Sequence, residues 1–141
     1  MHEVSFEEAL AKIEAKDPRY QREAYLFVRE ALDHTQKTVA KDARGRIRHV
    51  TGQELLIGIR DFALQQFGPM TKMVLEEWGV RCCSDFGEIV FNMIEVKWLA
   101  KTDKDNRDDF QNGYDFTSAF CKPFWPESRL KAGVGSVTGK I

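Results

Sequence analysis

The chain has 141 residues, 43% hydrophobic, 11% aromatic and 30% charged, which describes one globular domain of ordinary length. A formal net charge of −1, from 21 basic and 22 acidic residues, excludes a generally basic nucleic-acid binder and an acidic disordered tail; ten Gly and four Pro exclude a low-complexity chain. A folded chain of this length has a radius of gyration of about 14 Å and needs neither a disulfide nor a metal to stabilise it.

In chain order, Ser5 with Glu8 forms a capping box, and Phe6, Ala9, Leu10 and Ile13 follow at helical spacing until Lys16 and Asp17. Asp17-Pro18 reads as an N-cap followed by Pro at the first helical position. Tyr20, Ala24, Phe27, Val28, Ala31, Leu32 and Thr35 then make the apolar stripe of a longer second helix. Lys41 to His49 has no helical periodicity and carries four basic residues against one acidic, the pattern of a mobile basic loop. Thr51 with Glu54 is a second capping box, Val50 is placed to staple against Leu55, and Leu55, Leu56, Ile59, Phe62, Ala63 and Phe67 form the strongest apolar face.

Gly68-Pro69 ends that helix and starts the next at a tight corner. Met70, Met73, Val74 and Trp78 are expected to line a short fourth helix closed by Gly79. Asp85 with Glu88 reads as a third box, opening a fifth helix through Phe86, Ile89, Val90, Met93 and Ile94. Beyond Ala100, Asp103, Asp105, Asp108, Asp109 and Asp115 accumulate, and six aromatics fall between Phe110 and Trp125. One more short helix and an aromatic arm laid over the bundle are expected there.

The fold class predicted is therefore mainly α: a compact bundle of about five or six helices with an aromatic-rich, partly irregular C-terminal segment. Residues 1–131 are expected to form a single helical domain and 132–141 a flexible tail. The N-terminus lacks the basic and apolar regions of a secretory signal, and Phe86 to Ala100, the most apolar stretch, is broken by Glu88, Asn92, Glu95 and Lys97. Three cysteines, two of them adjacent at Cys82-Cys83, suit free thiols in a reducing, cytoplasmic compartment.

No residue set carries a reaction on its face. The acidic run from Asp103 to Asp109 fails the EF-hand pattern, because Arg107 falls on a ligand position, Asp108 on the required Gly and Tyr114 on the closing Glu. No CxxC or HxxxH spacing supports zinc, and no His lies near Cys82-Cys83 to act as base for a thiol nucleophile. The C-terminal Gly133 to Ile141 has neither the glycine spacing nor the following helix of a phosphate loop, and Ser128 to Lys131 lacks the companions of a serine acylation site. No metal, cofactor or catalytic residue is predicted.

Two sets of residues are candidates for binding. Phe110, Tyr114, Phe116, Phe120, Phe124 and Trp125 either complete the core or present anchors to a protein partner, with Phe124-Trp125 held between Pro123 and Pro126. Arg44, Arg46, Arg48, His49 and Glu54 surround the N-terminus of the helix that starts at Thr51, where the dipole favours an anion. The same basic loop, 41–49, is the one patch able to reach nucleic-acid phosphates, with no aromatic to stack a base. That loop is opposed in sign by Asp103 to Asp115, which holds five acidic residues and two basic, so the two segments would attract if they met.

The chain is similar to a bacterial family without an assigned activity, the Verruc-Plancto-restricted proteins. The resemblance is carried by Asp17-Pro18-Arg19-Tyr20, Ala24-Tyr25, the run from His49 to Leu56, Phe67-Gly68-Pro69, Leu75 to Val80 and Asp85 to Phe91. Residues 20 to 95 also resemble one repeat of the N-terminal domain of Clp-type unfoldases. There the match lies in the helix with Ala24 and Ala31-Leu32, in Val50 to Ile59 and in Leu75 to Val80, with Gln53-Glu54 where that family has Glu-His. The second resemblance implies a helical, non-catalytic domain that docks adaptors or substrates. The functional expectation is a protein-protein interaction or adaptor module, through a protein partner or self-association. A small enzyme or anionic-ligand site near Thr51 is the alternative, and weak nucleic-acid binding through 41–49 the third.

Overall fold

The computed structural model describes residues 5–42, 50–99, 107–111 and 113–126. These are mainly helical, as expected, with six α-helices and no strand among them. The helices are α1 (Phe6–Lys16), α2 (Arg22–Asp42), α3 (Gly52–Phe67), α4 (Thr71–Glu77), α5 (Cys83–Glu95) and α6 (Phe116–Phe120). Tight 3-10 turns lie at Gly68–Met70, Arg107–Phe110 and Lys122–Phe124. Most of the basic loop and the expected tail lie outside the described residues. None of the described helices is long and apolar enough to cross a membrane.

Helix α1 starts where its capping box predicts. Ser5 Oγ accepts from the Glu8 N–H at 3.1 Å and Glu8 returns a carboxylate oxygen to the Ser5 N–H at 3.3 Å. The expected start of α2 at Asp17-Pro18 is corrected: the Asp17 N–H donates to Ile13 O, so Asp17 closes α1, and α2 begins at Arg22. The cause is a competing use of the carboxylate, which accepts from the Arg19 N–H at 3.2 Å and the Asn92 Nδ2 at 2.9 Å instead of capping a helix.

Helices α2 and α3 form the central pair. Gly58 of α3 lies against Thr35 of α2, so closely that a Cβ at residue 58 would collide with the Thr35 hydroxyl. That hydroxyl is buried and donates to Ala31 O at 2.7 Å, which removes the penalty of placing it in the core. The α3 cap is the predicted reciprocal pair, with the Glu54 N–H donating to Thr51 Oγ1 at 3.1 Å and the Thr51 N–H to Glu54 at 3.0 Å. Gly68 turns the corner after α3 at φ +54°, and the buried Thr71 hydroxyl bonds back to Gly68 O at 2.6 Å.

Helix α4 ends in a Schellman motif around Gly79 (φ +97°), whose N–H reaches Glu76 O at 3.0 Å while the Val80 N–H reaches Leu75 O at 2.9 Å. Its buried residues are Thr71 and Leu75, and Met70 and Met73, expected on the inner stripe, are exposed. Helix α5 begins at Cys83, earlier than the expected cap at Asp85. Asp85 sits within the first turn and accepts from the N–H groups of Arg81 (2.9 Å) and Cys82 (3.3 Å). A second Schellman motif closes α5, with Trp98 N–H to Met93 O and Lys97 N–H to Ile94 O, both at 2.9 Å. It places a lysine, Lys97, at φ +66°.

Residues 107–111 and 113–126 lie across the α3 and α5 side of the bundle. The Phe110 ring seats on two glycines, since a Cβ on Gly52 or Gly87 would come within about 3 Å of its carbons. The Tyr114 hydroxyl donates to Leu56 O at 2.7 Å, and Asp115 caps α6 by accepting the Ser118 N–H at 3.0 Å. Phe116 and Phe120 are buried against Phe86 and Tyr114, with ring centroids 5.0 to 6.2 Å apart.

Candidate functional site

The densest polar cluster joins the α1–α2 corner to α5. Arg19 grips Asp17 through Nε at 2.8 Å and Nη2 at 2.7 Å and also reaches Glu88 Oε1 at 3.3 Å, while Arg107 approaches Glu88 Oε2 at 3.7 Å. The buried Asn92 amide donates to Asp17 and to the Tyr25 hydroxyl (3.1 Å), and Tyr20 donates to Asp85 at 2.6 Å. The Arg19 guanidinium, helped by Asn92, holds the Asp17 carboxyl well below the usual carboxylate range. Burial pushes the Tyr25 phenol up to about 12, and burial with the Asp85 hydrogen bond pushes Tyr20 higher still. Both phenols therefore stay protonated, Tyr20 as donor to Asp85 and Tyr25 as acceptor from Asn92, and Asp17 stays ionised. Every member of the cluster is committed to a neighbour, which makes it a strut between elements rather than an acid–base pair awaiting a substrate. Among the described residues, no buried side-chain nitrogen or oxygen lacks a partner, and no three His, Cys, Asp or Glu residues converge as a metal set.

The cysteines are free. Cys83 is buried, its thiol donates to Tyr114 O at 3.4 Å, and burial raises it to about 11, the opposite of what a nucleophile needs. Cys82 is exposed, with Sγ 3.1 Å from Ser84 Oγ and 3.6 Å from an Asp85 carboxylate oxygen.

Of the residues expected around the N-terminus of α3, Glu54 is placed and is engaged with the Thr51 N–H, while Arg44, Arg46, Arg48 and His49 lie outside the described residues. The first turn of α3 is also covered by the chain itself. Asp109 Cβ lies only 2.7 Å from where a Cβ on Gly52 would stand, with the Phe110 ring beside it. An acidic side chain of the protein thus sits against the helix end that was expected to attract an anion.

The six aromatics expected as partner anchors divide by burial. Phe110, Phe116 and Phe120 are core residues, and burial removes them from any contact made by the folded molecule. Tyr114 and Trp125 are half-buried, with Lys122 Nζ 5.8 Å from the Trp125 ring centre, and Phe124 is 45% exposed.

A second apolar surface, at the far end of α3, was not singled out from sequence. Phe27, Phe67 and Trp78 form a triangle of rings 5.6 to 5.7 Å apart that joins α2, α3 and α4. Phe67 and Trp78 are half-buried, and the surface continues outward over half-buried Val74 to Met70 and Met73, which are 50% and 55% exposed. Met70, Met73 and Val74 fall on one side of α4 because residues three and four apart share a helix face. Beside Met73, Lys72 pairs with Glu76 at 2.7 Å. The readable signal was the run of large apolar residues on both sides of Gly68-Pro69, more than one seven-residue helix can bury. No family model, no curated protein and no solved structure matches the chain.

Proposed function

We propose that the protein is a non-catalytic helical module of the cytoplasm that works by binding another protein, and that its contact surface is the apolar face of Phe67, Met70, Met73, Val74 and Trp78. The carrying observation is the exposure of Met70 and Met73 next to half-buried aromatic rings, an arrangement that leaves large apolar area in water. Methionine suits such a role because its flexible, polarisable side chain adapts to the surface it meets. The resemblance of residues 20 to 95 to a Clp-type N-terminal repeat supports the same reading, since this stretch runs from the α1–α2 turn to the end of α5.

Affinity capture from native cytoplasm, with the wild type and a Met73→Glu variant in parallel, tests the proposal. A stoichiometric partner held by the wild type and lost by a variant of unchanged circular dichroism is expected. Equal capture by both forms would place the function elsewhere.

A further inference from the structure

The charges that border this face point to the chemistry of its occupant. We propose that the Met70–Met73 surface docks a basic amphipathic helix of another protein; this rests on the contact surface proposed above. Two helices supply the acidic border. On α4, Glu77 follows Val74 by three residues and Met73 by four, so it shares their exposed strip. On α2, Glu23 and Glu30 stand four residues before and three after Phe27, along the side of the helix whose ring meets Phe62, Phe67 and Trp78. The start of α2 is held beside Trp78, because the Gln21 N–H donates to Trp78 O at 3.0 Å. All three glutamates are exposed, and none of their carboxylates has an ion pair or hydrogen bond with a described residue. The closest cations on these two helices are engaged elsewhere: Lys72 with Glu76, Arg22 with Glu7, and Arg29 over the Trp98 ring.

An occupant must therefore bring apolar side chains to the methionines and cations to the glutamates. The half-buried Trp78 ring adds to the second demand, since its face attracts a guanidinium or ammonium group. A second copy of this chain is the wrong match, because it would set one acidic border against another. An extended peptide finds no strand edge to pair with among the described residues. A helix satisfies its own backbone and carries apolar and basic residues on adjoining strips, which is the pattern this face complements. The surface is small, so affinity is expected in the micromolar range.

Fluorescence anisotropy of a labelled amphipathic peptide of leucine and lysine, titrated with the full chain, tests the proposal. Saturable binding is expected, weakened by salt and weaker by about tenfold or more when glutamate replaces lysine in the peptide. Glu23→Gln and Glu77→Gln are each expected to weaken binding by about threefold and together by about tenfold, whereas Gln36→Lys, on the opposite side of α2, leaves it within about twofold. Absence of binding at hundreds of micromolar, equal binding of the glutamate peptide, or an equal loss in Gln36→Lys overturns the basic partner. Self-association in sedimentation velocity that is lost in Met73→Glu overturns it too, by identifying a second copy as the occupant. Failure of the contact surface is read separately in the affinity capture: if Met73→Glu retains every partner of the wild type, the face is no contact surface, and if it loses them while the basic peptide is not bound, the face stands and the basic occupant falls.

Discussion

Asp17 shows how one side chain sets both a helix boundary and an acid limit. Its carboxylate is 11% exposed and bound by Arg19 and Asn92, so the folded state releases its proton at lower pH than the unfolded chain does. The unfolded chain therefore takes up the proton first as pH falls. The stabilisation is complete above the ordinary carboxylate range near about 3.9 and is lost as pH drops from there toward the folded value. Asp17→Asn is expected to cost about 1–3 kcal/mol at pH 7 in urea unfolding and to flatten the acid side of the stability curve. Equal acid slopes in the two proteins would show that Asp17 is not the group responsible. The alkaline side has the opposite sign. Cys83 and Tyr25 are raised to about 11 and about 12, so the unfolded chain loses these protons first, and stability falls as pH rises through each ordinary value toward the raised one. The same burial separates the neighbouring thiols: alkylation at pH 8, mapped by mass spectrometry, is expected to label Cys82 in the native protein and Cys83 only after unfolding.

At the scale of elements, helix starts were legible where cap chemistry is local and misread where it is not. Ser5/Glu8 and Thr51/Glu54 act within one turn, and α1 and α3 begin where those pairs put them. Asp17 and Asp85 look the same in sequence, but Asp17 is drawn to Asn92, 75 residues away, and Asp85 stands at the third position of α5, bonding back to the Arg81 and Cys82 N–H groups while it also accepts from Tyr20, 65 residues away; no local pattern reports those distant partners. The close of α5 carries an avoidable strain, since Lys97 occupies a left-handed position that glycine adopts freely. Lys97→Gly is expected to raise stability by roughly 0.5–1 kcal/mol in chemical denaturation, and a loss would mean that the lysine side chain contributes more than its backbone costs. Gly58→Ala acts in the reverse direction. The added methyl collides with the Thr35 hydroxyl at the α2–α3 contact, and a loss of about 1–3 kcal/mol is expected.

For the molecule as a whole, the all-helical fold was legible because amphipathic spacing repeats over most of the chain. The division of its surface was not. Ten Phe, three Trp and three Tyr exceed what periodicity can sort into inside and outside, and the choice is made by contacts between distant segments. Phe110 enters the core because Gly52 and Gly87 leave room for its ring, whereas Met70 and Met73 remain outside because Thr71 and Leu75 take the inner positions of a helix of seven residues. Truncating the ring in Phe110→Ala is expected to loosen residues 107–126 before the rest. In native-state hydrogen exchange, protection in that segment should fall while α2 and α3 keep theirs; a uniform fall across all helices would show that the arm and bundle are one cooperative unit.

The seat of Phe110 also bears on how the chain reaches its fold. The arm consists of short turns and a five-residue helix, which cannot persist without a bundle to pack on, and its Tyr114–Leu56 bond closes a loop of 58 residues, so ordering it costs entropy that the formed bundle alone repays. Docking of the arm is therefore expected late, after the rate-limiting step. In stopped-flow measurements Phe110→Ala should then speed unfolding and leave the refolding rate nearly unchanged, making the glycine seat a determinant of how long the native state lasts rather than of how quickly it forms.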